Sequence, residues 1–229
     1  MNVGIQICSR SEWKATRQVL APAAEGVGES PYGEYFRWTV GERACVLFNS
    51  RRTKTRAAGA CQYAIDRWRV DPVIVLGTCG GVAERLRPLD LVFATRTVQW
   101  DAVDRMNVVT QPFLPEAIVS ADLSWLSLDD LGEPVHRGIV ASGDQDTTFE
   151  TAEYLRKHEV LAADWESASI ALVCSLNRVR WAVLRGVTDV PHAAGEDDAR
   201  RQGRDYYANA PVVMEKLLAL LPRLLAGIR

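Results

Sequence analysis

Two carboxylates sit close together in the last third of this 229-residue chain. Glu166 lies in Asp164-Trp165-Glu166-Ser167-Ala168, at the start of a stretch with apolar residues on one face. Asp189 closes the run Val183-Leu184-Arg185-Gly186-Val187-Thr188. Read as a helix followed by a strand, this segment brings both acids to one edge of a sheet. Two acids in different surroundings suit cleavage of a glycosidic bond: one protonates the leaving group while the other holds the sugar or its attacker. Each acid also has a plainer use. A carboxylate at a helix start is favoured by the helix dipole, and an aspartate at a strand end often forms a cap or turn. Val190-Pro191 after Asp189 prevents an immediate helix, which weakens the cap reading. A third acid, Glu12, lies one turn into the first expected helix, where surface glutamates are common.

The elements that must position these acids alternate. Strands are expected over 2–8, 35–40, 44–48, 72–76, 89–98, 135–141 and 180–187, and helices over 11–20, 55–68, 150–157, 165–176 and 198–225. In the helix over 165–176, Ala168, Ala171, Leu172, Ser175 and Leu176 share one face. In the last helix the apolar stripe is Tyr206, Ala210, Val213, Met214, Leu217, Leu221 and Leu224. Residues 21–30 read as a loop, 41–43 as a hairpin turn, and 99–134 have no clean period. There is no internal repeat or linker, so residues 1–229 read as one α/β domain, with a mostly parallel sheet between helical layers. Ligands in such folds sit at the carboxyl ends of strands. Asp189, Gly143-Asp144 and the segment Gly77-Thr78-Cys79-Gly80-Gly81, expected as a tight strand-to-helix turn, all fall there.

Composition narrows the field. The chain is 48% hydrophobic and 24% charged with a net charge of -2, so bulk electrostatics do not point to nucleic acid or an anionic membrane. No apolar run is long enough for a spanning helix, and residues 1–20 lack a signal-peptide pattern. Five scattered cysteines, without a Cys-x-x-Cys pair, suit reduced thiols and a cytoplasmic location. The histidines show no metal spacing, and no metal or organic cofactor is expected. Ser50-Arg51-Arg52-Thr53-Lys54-Thr55-Arg56 is either a solvated basic helix start or an anion site. Asp144-Gln145-Asp146-Thr147 mimics a phosphatase nucleophile loop but comes too late in the chain. Ser11-Glu12-Trp13-Lys14 mimics a Ser-x-x-Lys motif whose companion motifs are absent.

Taken with Val3-Gly4-Ile5 and Glu12, with Leu76-Gly77-Thr78-Cys79-Gly80-Gly81-Val82 and Leu89-Asp90-Leu91-Val92, and with Ile139-Val140-Ala141-Ser142-Gly143-Asp144, the acidic segment resembles the purine nucleoside phosphorylase and nucleosidase superfamily. The likeness is greatest to its methylthioadenosine/S-adenosylhomocysteine nucleosidase branch. The resemblance spans nearly the whole chain and implies a three-layer α/β/α sandwich with a central mixed sheet. It implies hydrolysis of a purine nucleoside, an adenosine derivative with a 5′-thioether such as 5′-methylthioadenosine or S-adenosylhomocysteine, to free base and sugar. Asp189 would protonate purine N7, Glu166 would accept hydrogen bonds from the ribose hydroxyls, and Glu12 would deprotonate water. Thr78, Cys79 and Gly80 would line the base and ribose pocket. The expected partners are a small-molecule nucleoside and further copies of the chain, a dimer being favoured.

Four positions depart from the family pattern. Trp165 replaces the usual Met, and could stack beside the sugar or fill core. Asp146 falls near where a hydrophobic residue packs on the base. The Arg51–Arg56 segment replaces Ser-Gly-x-Gly-Lys, and as an anion site it would bind phosphate or a charged 5′-substituent. Val75 stands where phosphorylases keep a phosphate-binding arginine, which favours water as nucleophile. Phosphorolysis, with the arginine cluster binding phosphate, and a non-catalytic nucleoside-binding protein are the alternatives.

Overall fold

A computed structural model describes residues 2–20, 24–104, 106, 112–129, 131–192 and 195–229. Ten strands and five α-helices alternate along these residues. They are β1 (Asn2–Ile7), α1 (Arg10–Leu20), β2 (Glu25–Glu29), β3 (Glu34–Val40), β4 (Arg43–Asn49), α2 (Lys54–Trp68), β5 (Val70–Gly81), β6 (Leu91–Gln99), β7 (Ile118–Ser120), β8 (Val135–Ser142), α3 (Phe149–Arg156), β9 (Val160–Asp164), α4 (Ser167–Leu176), β10 (Trp181–Asp189) and α5 (Glu196–Ala226).

All ten strands join one mixed sheet in the order β10-β6-β8-β9-β5-β1-β4-β3-β2, with β7 added to β6. β1 lies parallel between β4 and β5, and β10 runs parallel to β5 but antiparallel to β6. β10 thus touches both β5 and β6, so the strands β5, β9, β8, β6 and β10 close into a ring. Helices cover both faces. Val3, Ile5 and Ile7 of β1, with Leu47, Ile74 and Leu184, pack against the α5 residues Val213, Met214, Leu217, Leu221 and Leu224. On the opposite face Val46, Phe48, Val73, Val75 and Val183 pack against Ala57, Cys61 and Ala64 of α2 and Ile170, Ala171 and Cys174 of α4. The near-continuous apolar runs of β1, β5 and β10 follow from this two-sided burial.

The expected stripe of α5 is buried from Ala210 to Leu224. Its first member, Tyr206, departs from the apolar pattern, because its hydroxyl bonds Ser11 Oγ at 2.5 Å and Ser9 Oγ at 3.2 Å. The face expected for α4 needs correcting. Ala168 and Ala171 are buried as expected, but Ser175 is exposed and Leu176 is 75% exposed, while Ser167, Ser169, Ile170 and Cys174 also turn inward. The helix is apolar nearly all round, so its spacing alone did not select a face.

Three strands fall where none was expected, among them β7, which lies in the aperiodic segment 99–134 and pairs antiparallel with β6. β2 occupies part of the expected loop, held by antiparallel pairing with β3 alone, and β9 precedes α4. The expected turn at 77–81 is also corrected: β5 continues through it. Gly80 and Gly81 pair antiparallel with Ala163 and Ala162 of β9, and the missing side chains let the strand leave β10 for β9. Among the described residues no helix is long and apolar enough to cross a membrane.

Candidate functional site

Arg185 is the most deeply buried charge among the described residues. It sits mid-strand in β10, fully buried, where an unpaired guanidinium would be prohibitively costly. Three carboxylates converge on it. Its Nε lies 2.8 Å from Asp164 Oδ2, while its terminal nitrogens lie 3.8 Å from Glu166 Oε2 and 3.9 Å from Glu12 Oε1. The nitrogen facing Glu166 has no hydrogen-bond partner, so a buried donor is left aimed at the acids. Sequence reasoning quoted Arg185 only as part of a motif. The available signal was an arginine inside the otherwise apolar run Val183–Val187.

Asp164, at the end of β9, is the anchor of this group. One of its oxygens accepts from Ser142 Oγ at 2.5 Å and from the N–H groups of Glu166 and Ser167, each at 3.1 Å; the other accepts from the Ser167 hydroxyl. Asp164 therefore satisfies the first donors of α4. Glu166 stands at the N-cap of that helix but makes no capping hydrogen bond with its side chain. The side-chain cap of α4 is thus supplied by Asp164, two residues earlier, and the Glu166 carboxyl faces the cavity. Its pKa is pushed up to about 8: burial dominates, Arg185 opposes it, Asp164 and Glu12 add to it, and the Thr53 backbone opposes it by hydrogen bonding.

Glu12 is not a surface residue. It is 2% exposed, and its carboxylate spans two segments. Oε2 accepts from the Ser9 N–H at 2.8 Å, while Oε1 accepts from the Thr78 N–H at 2.6 Å and the Thr78 hydroxyl at 2.7 Å. The turn that delivers it is fixed by Asn49, whose side-chain amide donates to the Ile7 and Cys8 carbonyls at 2.8 and 3.1 Å. Gly77 makes the approach possible. A Cβ there would lie 2.7 Å from Glu12 Oε1 and collide with the Arg185 guanidinium.

Asp189 ends β10, with Oδ1 2.6 Å from Thr188 Oγ1. Its pKa is raised to about 6, chiefly by burial. The Thr188 hydroxyl opposes the shift, Asp205 adds to it, Arg201 opposes it, and Asp146 adds to it. A carboxyl titrating there can hold a proton near neutrality and still release it.

The residues Glu12, Thr78, Cys79, Gly80, Asp146, Trp165, Glu166 and Asp189 all line one cavity of about 630 Å³. Thr78, Cys79 and Gly80 belong to the final residues of β5. The Cys79 thiol is buried and its pKa is pushed well up. Asp146 is exposed at the cavity rim, just before α3. Trp165 lines the cavity and carries Arg52 over its ring, 5.2 Å from the centroid. Sequence reasoning also missed the hydroxyls of Ser9 and Tyr206, which line the cavity beside Glu12.

The basic segment is divided in its contacts. Lys54 is ion-paired with Asp101, and Arg56 donates to the Ser50 and Tyr32 carbonyls. Arg51 and Thr53 adopt φ of 65° and 93°, left-handed values that typically cost about 1–3 kcal/mol each in non-glycine residues. Among the described residues no cluster of three or more His, Cys, Asp or Glu could hold a metal ion.

The comparisons with known proteins agree with this architecture. A 5'-methylthioadenosine/S-adenosylhomocysteine nucleosidase of Thermotoga maritima is 27% identical over 177 residues, which are 75% of this chain and 78% of that protein. An aminodeoxyfutalosine nucleosidase of Helicobacter pylori is 28% identical over 193 residues, 76% of this chain and 83% of the relative. The crystal structure of a Helicobacter pylori 5'-methylthioadenosine/S-adenosylhomocysteine nucleosidase in complex with a substituted pyrrolidin-3-ol superposes with a TM-score of 0.83. It covers 98% of this chain and 99% of its own at 22% identity, and so shares the fold. The family model of the phosphorylase superfamily matches residues 11–226, and the chain belongs to that superfamily.

Proposed function

We propose that this chain hydrolyses the N-glycosidic bond of a purine nucleoside, releasing free base and free sugar. The observation that carries the reading is the gathering of Asp189, Glu166 and Glu12 on one cavity, with Asp189 titrating at about 6. Nucleosidases among the relatives favour the same chemistry.

A purine anion is a poor leaving group, so Asp189 gives its proton to the departing base as the bond to C1′ breaks. Positive charge grows on the ribose, whose hydroxyls donate to Glu166. That donation favours the ionised carboxyl, so diol binding draws a proton off Glu166. Water adds to C1′ and passes its proton to Glu12. Exchange with solvent carries off the Glu12 proton and restores those of Asp189 and, once the sugar leaves, Glu166, so the balance is nucleoside plus water giving base plus sugar.

Water rather than phosphate is the nucleophile in this reading. The Ser9 and Thr78 donors that could hold an anion beside the sugar are already filled by the Glu12 carboxylate. Val75 also leaves no arginine at the phosphorylase position.

We further propose one domain over 1–229, a cytoplasmic location and a homo-oligomer, a dimer being favoured. The single ten-stranded sheet supports the first, and five free, buried cysteines support the second. The exposed apolar side chains Val103 and Met106 support the third. Incubation with a nucleoside panel, with and without phosphate, tests the activity. Free base with free sugar in both buffers is expected. Sugar 1-phosphate, formed only with phosphate present, would show a phosphorylase instead.

A further inference from the structure

A second cavity, of about 840 Å³, opens beside the first. The two share Ser9, Arg52, Tyr206 and Tyr207 in their walls, so one leads into the other. Its chemistry is different. Arg10, Arg51, Arg52 and Arg56 line it, against one carboxylate, Glu29. Arg52 stands at the junction, flanked by the left-handed Arg51 and Thr53 and seated over Trp165. Four guanidiniums around one concavity repel each other unless an anion joins them.

From this we propose that the second cavity is a subsite for an anionic group, a carboxylate or phosphate, carried on the 5′ arm of the nucleoside. The inference rests on the proposed nucleosidase reading and sharpens its substrate class. With the base at Asp189 and the diol at Glu166, the ring position left to carry a substituent outward is C4′. The way out past Ser9 and Arg52 leads among the arginines. A small neutral substituent would leave most of this space empty and four guanidiniums facing the single carboxylate of Glu29. An acidic arm meets Arg forks, which bind carboxylate and phosphate oxygens in bidentate fashion. The arginines do not serve a phosphate nucleophile in this arrangement, because the carboxylates of Glu12 and Glu166 face the sugar from the first cavity.

The test compares two adenosine derivatives that differ at the end of a 5′-thioether chain, one a carboxylate and the other its carboxamide. Base release is measured for both, and calorimetry is run with non-hydrolysable versions. The carboxylate is expected to be preferred roughly 10- to 100-fold in kcat/KM, as hydrogen bonds to charged groups imply. The preference should shrink with added salt and fall toward one in Arg51→Ala/Arg52→Ala, while Arg52→Lys retains part of it. The salt series on the unaltered protein stands even if the double variant does not fold. Equal kcat/KM for the two compounds overturns the subsite and leaves the nucleosidase reading intact. Absence of base release from both overturns the activity, and calorimetry then decides the subsite: tighter carboxylate binding supports it and equal binding overturns it. Sugar 1-phosphate as product also overturns it.

Discussion

Arg185 Nε and Asp164 Oδ2 lie 2.8 Å apart, Asp164 lining the cavity and Arg185 behind it, both side chains essentially out of solvent. Asp164 is at once the ion partner of Arg185 and the cap of α4, so the pair ties β9, α4 and β10 together. Breaking a buried pair by removing one member leaves an unanswered charge, which costs about 3–5 kcal/mol. Arg185→Met is therefore expected to lower the urea midpoint by an equivalent amount, with Arg185→Lys losing less. A loss below about 1 kcal/mol in Arg185→Met would show that Asp164 and Glu12 relax at little cost without the guanidinium.

Asp189 is expected to act in its protonated form. Because its pKa stands at about 6, kcat/KM for base release should fall as pH rises through that value. Asp189→Asn keeps the shape without the transferable proton, and turnover should drop about 100-fold or more. Near-native turnover in this variant, measured on a protein with unchanged circular dichroism, would remove Asp189 as the acid.

Glu12→Gln tests the water-activating role. All three donors to Glu12 require an acceptor, so the amide must turn its NH₂ toward the Ser9 N–H or the Thr78 pair. Base release should slow about 100-fold or more, and added phosphate should not restore it. Rescue by phosphate would indicate that another nucleophile can take the place of water.

Glu166 links pH to stability. Its carboxyl has an ordinary value of 4.5 in the unfolded chain and about 8 in the folded, unliganded protein. The folded state therefore binds the proton more tightly. The resulting stabilisation is complete below about 4.5 and is lost as pH rises through about 8. Tm should decline over that window, and Glu166→Gln should flatten the decline. Parallel declines in the two proteins would assign the effect to other groups.

Gly77→Ala is expected to be disruptive although it adds one methyl group. The Cβ would press on Glu12 and on Arg185, both immobilised by their partners. A cost of about 1–3 kcal/mol is typical of such overpacking, and activity should fall with it. An alanine variant of unchanged Tm would mean that the Glu12 and Arg185 side chains have more room than their contacts imply.

Much of the candidate site was legible because two of its acids stand at element ends. Asp189 follows an apolar run and precedes Val190-Pro191, and Glu166 opens a helix, so local pattern locates both. The burial of Glu12 was not legible, since its partner Thr78 lies 66 residues away and only the register of β1 against β5 joins them. Nor was the capping by Asp164, because β9 is five residues long and contains Ala162-Ala163, too small a signal to read as a strand. The inward face of α4 was misread because an all-round apolar helix carries no period to use. β2 was hidden by Gly26 and Gly28.

The closed ring also bears on how the protein behaves at high concentration. A border strand with free N–H and C=O groups is a template for another chain. Here β10, which would otherwise form a border, is hydrogen-bonded on both sides, and the sheet path instead ends at β2. That strand reads Glu-Gly-Val-Gly-Glu, acidic at both ends and interrupted by glycine, while β7 spans only Ile118–Ser120. Neither offers the long, flat, apolar rim that seeds strand-to-strand growth. Copies of the folded chain should therefore meet through helices and loops, and concentrated solutions should resist fibril formation as long as the ring stays shut.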